Sequence, residues 1–263
     1  MITLGVADLA VAALLVVSLA LLSLRLRTGL GGQILLGAAR TAIQLSLIGL
    51  VLKALFANAH LHWVALMSLI MLLIAGREVM VRQERRFTGW WGYAVGTFSM
   101  FLSSFAVTVF ALIVVLGNTP WYAPQYAIPL LGMLLGNTMN GIAIAMDRLT
   151  NAAWEQRAVI EARLALGHSW DAAVAEMRRQ AIRSGMIPII NAMAAAGVVS
   201  LPGMMTGQIL AGAAPVDAVK YQIMIMFLIV VGTGLGTLAA VTIGAKHLFD
   251  GRQRLCLERL RKS

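Results

Sequence analysis

Charge is what this sequence has least of. Only 12% of its 263 residues are Asp, Glu, Lys or Arg, whereas 60% are hydrophobic and the mean hydropathy is +0.83. A soluble domain usually carries about a quarter charged residues, so this chain cannot coat a water-facing surface, and a membrane protein is expected. Cysteine is absent but for Cys256, which excludes an intrachain disulfide and a thiolate cluster for zinc or iron–sulfur. The four histidines are scattered, only His60 and His62 lying close together, so no metal-ligand set is assigned. No G-x-x-x-x-G-K-S/T occurs to cradle ATP phosphates, and neither H-E-x-x-H nor G-x-S-x-G appears. The chain is therefore expected not to be an enzyme and to bind no cofactor of its own. No carboxylate sits deep in an apolar stretch, since Asp8, Asp147 and Asp217 all fall near ends. That weighs against a proton- or sodium-coupled carrier, which commonly uses one.

What is present is a series of long uncharged intervals. A spanning helix needs roughly 20 mostly apolar residues, and the interval 87–146 is long enough for two, separated by the proline-bearing run from Gly117 to Tyr126. Pro129 suits the first turn of the helix that follows. The expected spans are 6–24, 34–56, 62–81, 95–117, 127–146, 186–212 and 222–245. That is seven crossings of one transmembrane domain over 1–263, an all-α polytopic bundle. The first stretch lacks a basic leading region and carries its positive flank behind it, so it reads as an uncleaved helix.

Lys and Arg set the orientation. With the N-terminus outside and the C-terminus cytoplasmic, eighteen fall on the inner segments, against Lys220 and at most Lys53 outside. This is a strong positive-inside bias. Trp63 and Trp121 then sit at the outer interface and Trp90 and Trp91 at the inner one, as an aromatic belt requires. The net charge of +10 is thus mostly topological, and no nucleic-acid partner is expected.

Residues 147–185 are polar enough to leave the bilayer yet read as helix. Trp170, Ala173, Val174, Met177 and Ala181 recur at helical spacing, Ser169 is placed to cap, and Asp171 lies in the first turn. Arg178, Arg179 and Arg183 lie toward the expected helix end, which suits the helix dipole. A second helical stretch covers 152–166, and Gly167 interrupts the two as a C′ glycine would. The product is a cytoplasmic helix–turn–helix between the fifth and sixth spans.

Polar groups inside the spans are informative, because an unpartnered one is costly in lipid. In the fifth span Met133, Asn137 and Asn140 share a stripe, and Gly132 and Gly136 have close-contact spacing. In the sixth, Pro202 is expected to kink the helix, Gly203 and Gly207 repeat the spacing, and Met204, Met205 and Gln208 flank them. The second span adds Gln44, one turn from Arg40. One reading makes Met133, Asn137, Asn140, Met204, Met205, Gln208 and Gln44 the lining of a translocation route. The other makes them packing residues, with glycines for approach and amides bonding across helices.

Glu161-Ala162-Arg163-Leu164-Ala165-Leu166-Gly167 resembles the loop of ATP-binding-cassette (ABC) importer-type permeases that docks on an ATPase. It departs from that pattern in having Arg163 where alanine is usual, and its following proline comes late, at Pro188. Four longer stretches are more specific: Arg40 to Leu45, Ile128 to Met139, Gly197 to Gly207 and Pro215 to Met224. Together they resemble the FetB-type permease family, the iron-export membrane subunit of a bacterial ABC transporter, with plant aluminium-tolerance relatives. The resemblance implies an inner-membrane homodimer that exports iron or another metal, with ATP bound by a FetA-type ATPase subunit. It also makes Glu161, Ala162, Gly167, His168 and Ser169 the docking site. Two other readings stay open: an ATPase-independent carrier or channel, and ABC export of a non-metal solute such as a nucleotide sugar. Thioethers favour soft ions over ferrous iron, so iron follows from the resemblance alone.

Overall fold

The structure, a computed structural model, describes residues 5–57 and 59–262. The protein is an all-α polytopic membrane protein. Among the described residues, six helices are long and apolar enough to cross a bilayer. They are α1 (Val6–Arg25), α2 (Gly31–Ala57), α3 (Leu61–Val81), the helical run from Trp91 to Val115, α6 (Pro124–Glu155) and α11 (Pro215–His247). The fourth of these contains α4 (Trp91–Met100) and α5 (Ala106–Phe110), each followed by a π-helical turn. Many leucines, valines and phenylalanines on these helices are exposed, among them Leu14, Leu15, Phe101 and Phe227, as a lipid-facing surface requires.

The chain divides into two compact units at Ala59–His60. The first is the α1–α2 hairpin. Its turn is tight because Ser23 Oγ lies 2.5 Å from Thr28 Oγ1 and Gly29 takes a positive φ of 75°. Gly31 then lets α2 approach α1, since a Cβ there would sit 3.0 Å from the Ala20 carbonyl oxygen.

The second unit is built around α6. Against α11, Leu134 meets Gly232, Thr138 meets Gly236, and Met146 and Leu149 meet Gly244. The positions advance together, so α6 and α11 run parallel. The element between them is α9 (Ala175–Ala195), and it runs the other way: Gly185 lies against Gly141 and Thr237, and Met186 against Gly234. Further along, Met193 shares a cavity with Gln222 and Met226. These crossings depend on missing side chains. A Cβ on Gly185 would stand 2.5 Å from the Gly141 carbonyl oxygen, and one on Gly236 2.6 Å from Thr138 Cγ2. The glycines expected to make such contacts do otherwise. Among the described residues Gly136, Gly203 and Gly207 have nothing within 4 Å of an added Cβ, and Gly132 meets only Met71.

Several boundaries differ from the sequence reading, among them the start of α11, which lies at Pro215 instead of at 222, and of the fourth span, at Trp91 instead of at 95. Helix α6 begins with Pro124 in its first turn, where the missing N–H costs nothing, so Pro129 falls inside the helix instead of opening it. The same helix continues past 146 to Glu155. The span expected over 186–212 is divided: α9 stops at Ala195, and α10 (Gly203–Leu210) starts after Pro202. Pro202 therefore does not kink a continuous helix. The chain turns before it, with Gly197 at φ +83° and the Ala195 carbonyl accepting from the N–H groups of Val199 and Ser200. A residue preceding proline is disfavoured in the helical region, which suits the extended approach to Pro202, although Pro129 and Pro188 are accommodated inside α6 and α9.

At the end of the bundle where α6 and α11 finish, β1 (Arg85–Phe87) pairs antiparallel with β2 (Leu260–Lys262), Phe87 opposite Leu260. The C-terminal segment is thereby tied to the α3–α4 connection.

Candidate functional site

The helical elbow is formed by α7 (Arg157–Ala165), Gly167 and α8 (Trp170–Ala173), which leads through Val174 into α9. Gly167 sits at φ +88°, a left-handed conformation that a side chain would strain. Ser169 caps α8, its side chain accepting the Ala172 N–H at 3.4 Å. Ile160 and Val174 are buried on the inner side, while Leu166 is 79% exposed at the tip. Arg163, the departure from the ABC-type pattern, has a structural role: its Nη1 donates to the Ala173 carbonyl at 3.0 Å and clamps α7 to α8. Arg178 and Arg179 lie in the first half of α9, because that helix continues to Ala195. They are compensated by side-chain pairing with Asp171 and Glu176 instead of by a helix C-terminus.

Sequence reasoning missed the other wall of the elbow. A cavity of about 660 Å³ is lined by Glu161, Gly167, His168 and Ser169 on one side and by Arg252, Gln253, Arg254 and Leu255 on the other. The Trp170 N–H donates to Gln253 Oε1 at 2.9 Å, and the Trp170 ring packs on Phe249. The C-terminal turn is built by Asp250, whose Oδ1 accepts from the N–H groups of Arg252 and Arg254 at 2.9 and 2.8 Å. These contacts, led by the Arg254 N–H, hold the Asp250 carboxyl below its ordinary value. An Asp-Gly pair is a turn signal, so the bend was legible, although its docking on the elbow was not.

Next to the elbow, a polar cavity of about 570 Å³ opens between the α3–α4 connection, α6 and α9. Asn140 lines it, and its Oδ1 accepts from Arg82 Nη1 at 2.5 Å. Asp147 Oδ1 accepts the Glu84 N–H at 2.7 Å, Thr150 Oγ1 donates to the Arg85 carbonyl at 2.8 Å, and the Arg85 guanidinium lies 4.4 Å from the Trp154 ring centre. The loop holding β1 is thus fastened to the end of α6.

The residues proposed for a translocation route do not form one stripe. Asn137 donates to the Met133 carbonyl at 2.8 Å, within its own helix, and both are half-buried. Asn140 faces the polar cavity, while Met205 is buried and lines an apolar cavity of about 480 Å³ near the opposite end of α11. Met204 is 37% exposed, and Gln208 keeps its Oε1 buried without a hydrogen-bond partner among the described residues. Gln44 is exposed on α2, in the first unit. The apolar cavity also takes in Met193, Gln222 and Met226, which sequence reasoning did not single out.

Comparison with known proteins agrees with this architecture. A UPF0014 membrane protein of Synechocystis sp. is 40% identical over 230 residues, 86% of each chain. The Probable iron export permease protein FetB of Escherichia coli is 32% identical over 260 residues, covering 97% of this chain and 96% of that one. The Arabidopsis thaliana Protein ALUMINUM SENSITIVE 3 is 34% identical, covering 88% of this chain and 82% of that one. No solved structure matches. The pattern of the uncharacterised protein family UPF0014 matches residues 6–249, and with all six of the described membrane-spanning helices inside that match, the chain belongs to this family of membrane proteins.

Proposed function

We propose that the protein is the membrane-spanning permease subunit of an ABC transporter, exporting iron or another metal and driven by a separate ATPase that docks on residues 147–185. The observation that carries this reading is the placement of the elbow. It connects α6 directly to α9, and these two helices pack on each other and on α11, so a force applied near Gly167 acts on the centre of the bundle. The chain supplies no phosphate-cradling motif, so the ATP site belongs to the partner. The iron-export name of the Escherichia coli relative supports a metal cargo. By the same resemblance the permease works as a homodimer in a bacterial inner membrane, with its elbow in the cytoplasm.

Seven crossings also follow from this reading. Helices α6 and α11 run parallel, so the chain between them has to return across the bilayer, and α9 with α10 is the element available for that return. It falls short of a continuous apolar span because its first turns hold Glu176, Arg178, Arg179 and Arg183 and because it breaks at Ala196. Co-purification with an ABC ATPase co-expressed from the same genome tests the proposal. The wild-type chain is expected to retain the ATPase, and Gly167→Trp, which forces a side chain into a left-handed position at the tip, to lose it. Full-rate transport in proteoliposomes without any ATPase would instead favour a self-sufficient carrier.

A further inference from the structure

The apolar cavity far from the elbow has a donor set that packing does not explain. It is walled by the α9–α10 break, by Met193 and Met205, and by Gln222 and Met226 of α11. Gln222 is 8% exposed, and its Oε1, buried in this wall, has no hydrogen-bond partner among the described residues. A native interior seldom leaves an amide oxygen in that condition. The three methionines come from three different elements and line the one cavity, and their unbranched side chains, with three rotatable bonds each, adapt readily to a ligand. Among the described residues, no carboxylate, histidine or cysteine lines the cavity.

We infer that this cavity binds a soft monovalent cation, such as Cu(I), through the thioethers of Met193, Met205 and Met226 and the amide oxygen of Gln222. Thioether sulfur selects soft ions, whereas ferrous iron, manganese and magnesium take nitrogen or oxygen donors. The absence of a negative group in the wall points the same way. Burying an unpaired charge is expensive and rises steeply with its magnitude, so neutral donors suit a single positive charge far better than a divalent ion. The wall also joins the site to the moving parts. Met193 lies near the end of α9, the helix that begins at the elbow, and Met205 lies just beyond the break. Only the naming of this ion as cargo rests on the permease reading; the binding itself does not.

Ag(I), an air-stable probe for the same donors, tests the site by calorimetry on the purified full-length chain. A Cys256→Ser background makes every sulfur ligand a thioether. Wild-type donors are expected to bind one Ag(I) per chain. Met193→Leu/Met205→Leu/Met226→Leu should weaken this by more than the roughly 10–100-fold that losing an outer-shell residue costs. Met133→Leu should leave it unchanged. X-ray absorption on the unmutated donor set, expected to show sulfur around silver, keeps the test sound if the triple variant folds poorly. Equal binding by the triple variant, no binding at all, or a first shell of nitrogen and oxygen alone would overturn the assignment. If Ag(I) binds as expected while the ATPase fails to co-purify, only the permease reading falls.

Discussion

At the scale of single residues, the bundle depends on a few places where no side chain fits. Gly185 is the tightest in α9. An added Cβ would lie 2.5 Å from the Gly141 carbonyl oxygen, 2.9 Å from Ala145 Cβ and 3.1 Å from Thr237 Cγ2, so two neighbouring helices meet it at once. Backbone cannot swing aside as a flexible side chain can, and overpacking of this kind costs about 1–3 kcal/mol. Gly185→Ala is therefore expected to lower the midpoint of thermal unfolding in detergent, and Gly185→Val to lower it further. Gly136 provides the contrast, because an added methyl there meets nothing within 4 Å. Gly136→Ala should be neutral or raise stability by roughly 0.5–1 kcal/mol through the lower backbone entropy of alanine in a helix. A destabilised Gly136→Ala in the monomer would show that the close-contact spacing read from the sequence had predicted the right surface after all. The spacing alone could not distinguish the two glycines, since it fixes which residues share a helix face but not whether another helix lies against that face.

At the scale of elements, the C-terminal segment acts as a clip. Arg259 Nη1 donates to the carbonyls of His247 and Phe249, the Thr88 N–H donates to the Arg259 carbonyl, and Gln253 reaches the elbow. Cys256 is buried beneath it, and burial pushes its thiol pKa up, with the Glu258 carboxylate adding to the effect. A raised pKa leaves less thiolate at neutral pH, and the thiolate is the reactive form. Maleimide should accordingly label the folded protein slowly at pH 7. Leu260→Asp, which places a charge in the buried register opposite Phe87, should speed labelling, as followed by intact mass. Equal rates in the two proteins would mean that the clip does not shield the thiol. Beyond the Asp250–Gly251 bend, the clip was not legible beforehand, because strands of three residues rich in arginine and lysine carry no alternation to detect. The elbow was legible, since Gly167, Ser169 and the apolar stripe each have a local cause. The division of the sixth span was half legible: Pro202 marked the irregularity, but the turn at Gly197 depends on backbone hydrogen bonds that a proline search does not see.

At the scale of the whole molecule, uncharged length and chain direction give different numbers of crossings, and direction is the stronger argument. Length and composition select six helices among the described residues. The parallel course of α6 and α11 requires that residues 116–123, before α6, and 211–214, before α11, lie at the same end of the bundle. The elbow between α7 and α8 lies at the other end, with the clip. If α9 and α10 together cross the bilayer, Thr119 and Ala213 share one side of the membrane and His168 faces the opposite one. All three positions are exposed, so each tolerates a reporter. In a Cys256→Ser background, Thr119→Cys and Ala213→Cys are expected to react with a membrane-impermeant maleimide added to spheroplasts, and His168→Cys only after permeabilisation. Reaction of His168→Cys alone would invert the orientation drawn from the lysines and arginines while keeping the crossing. Thr119→Cys and Ala213→Cys on opposite sides would do more damage. The chain would then enter and leave by the same face at the α9–α10 break, and α9, into which the elbow leads, would not cross the membrane.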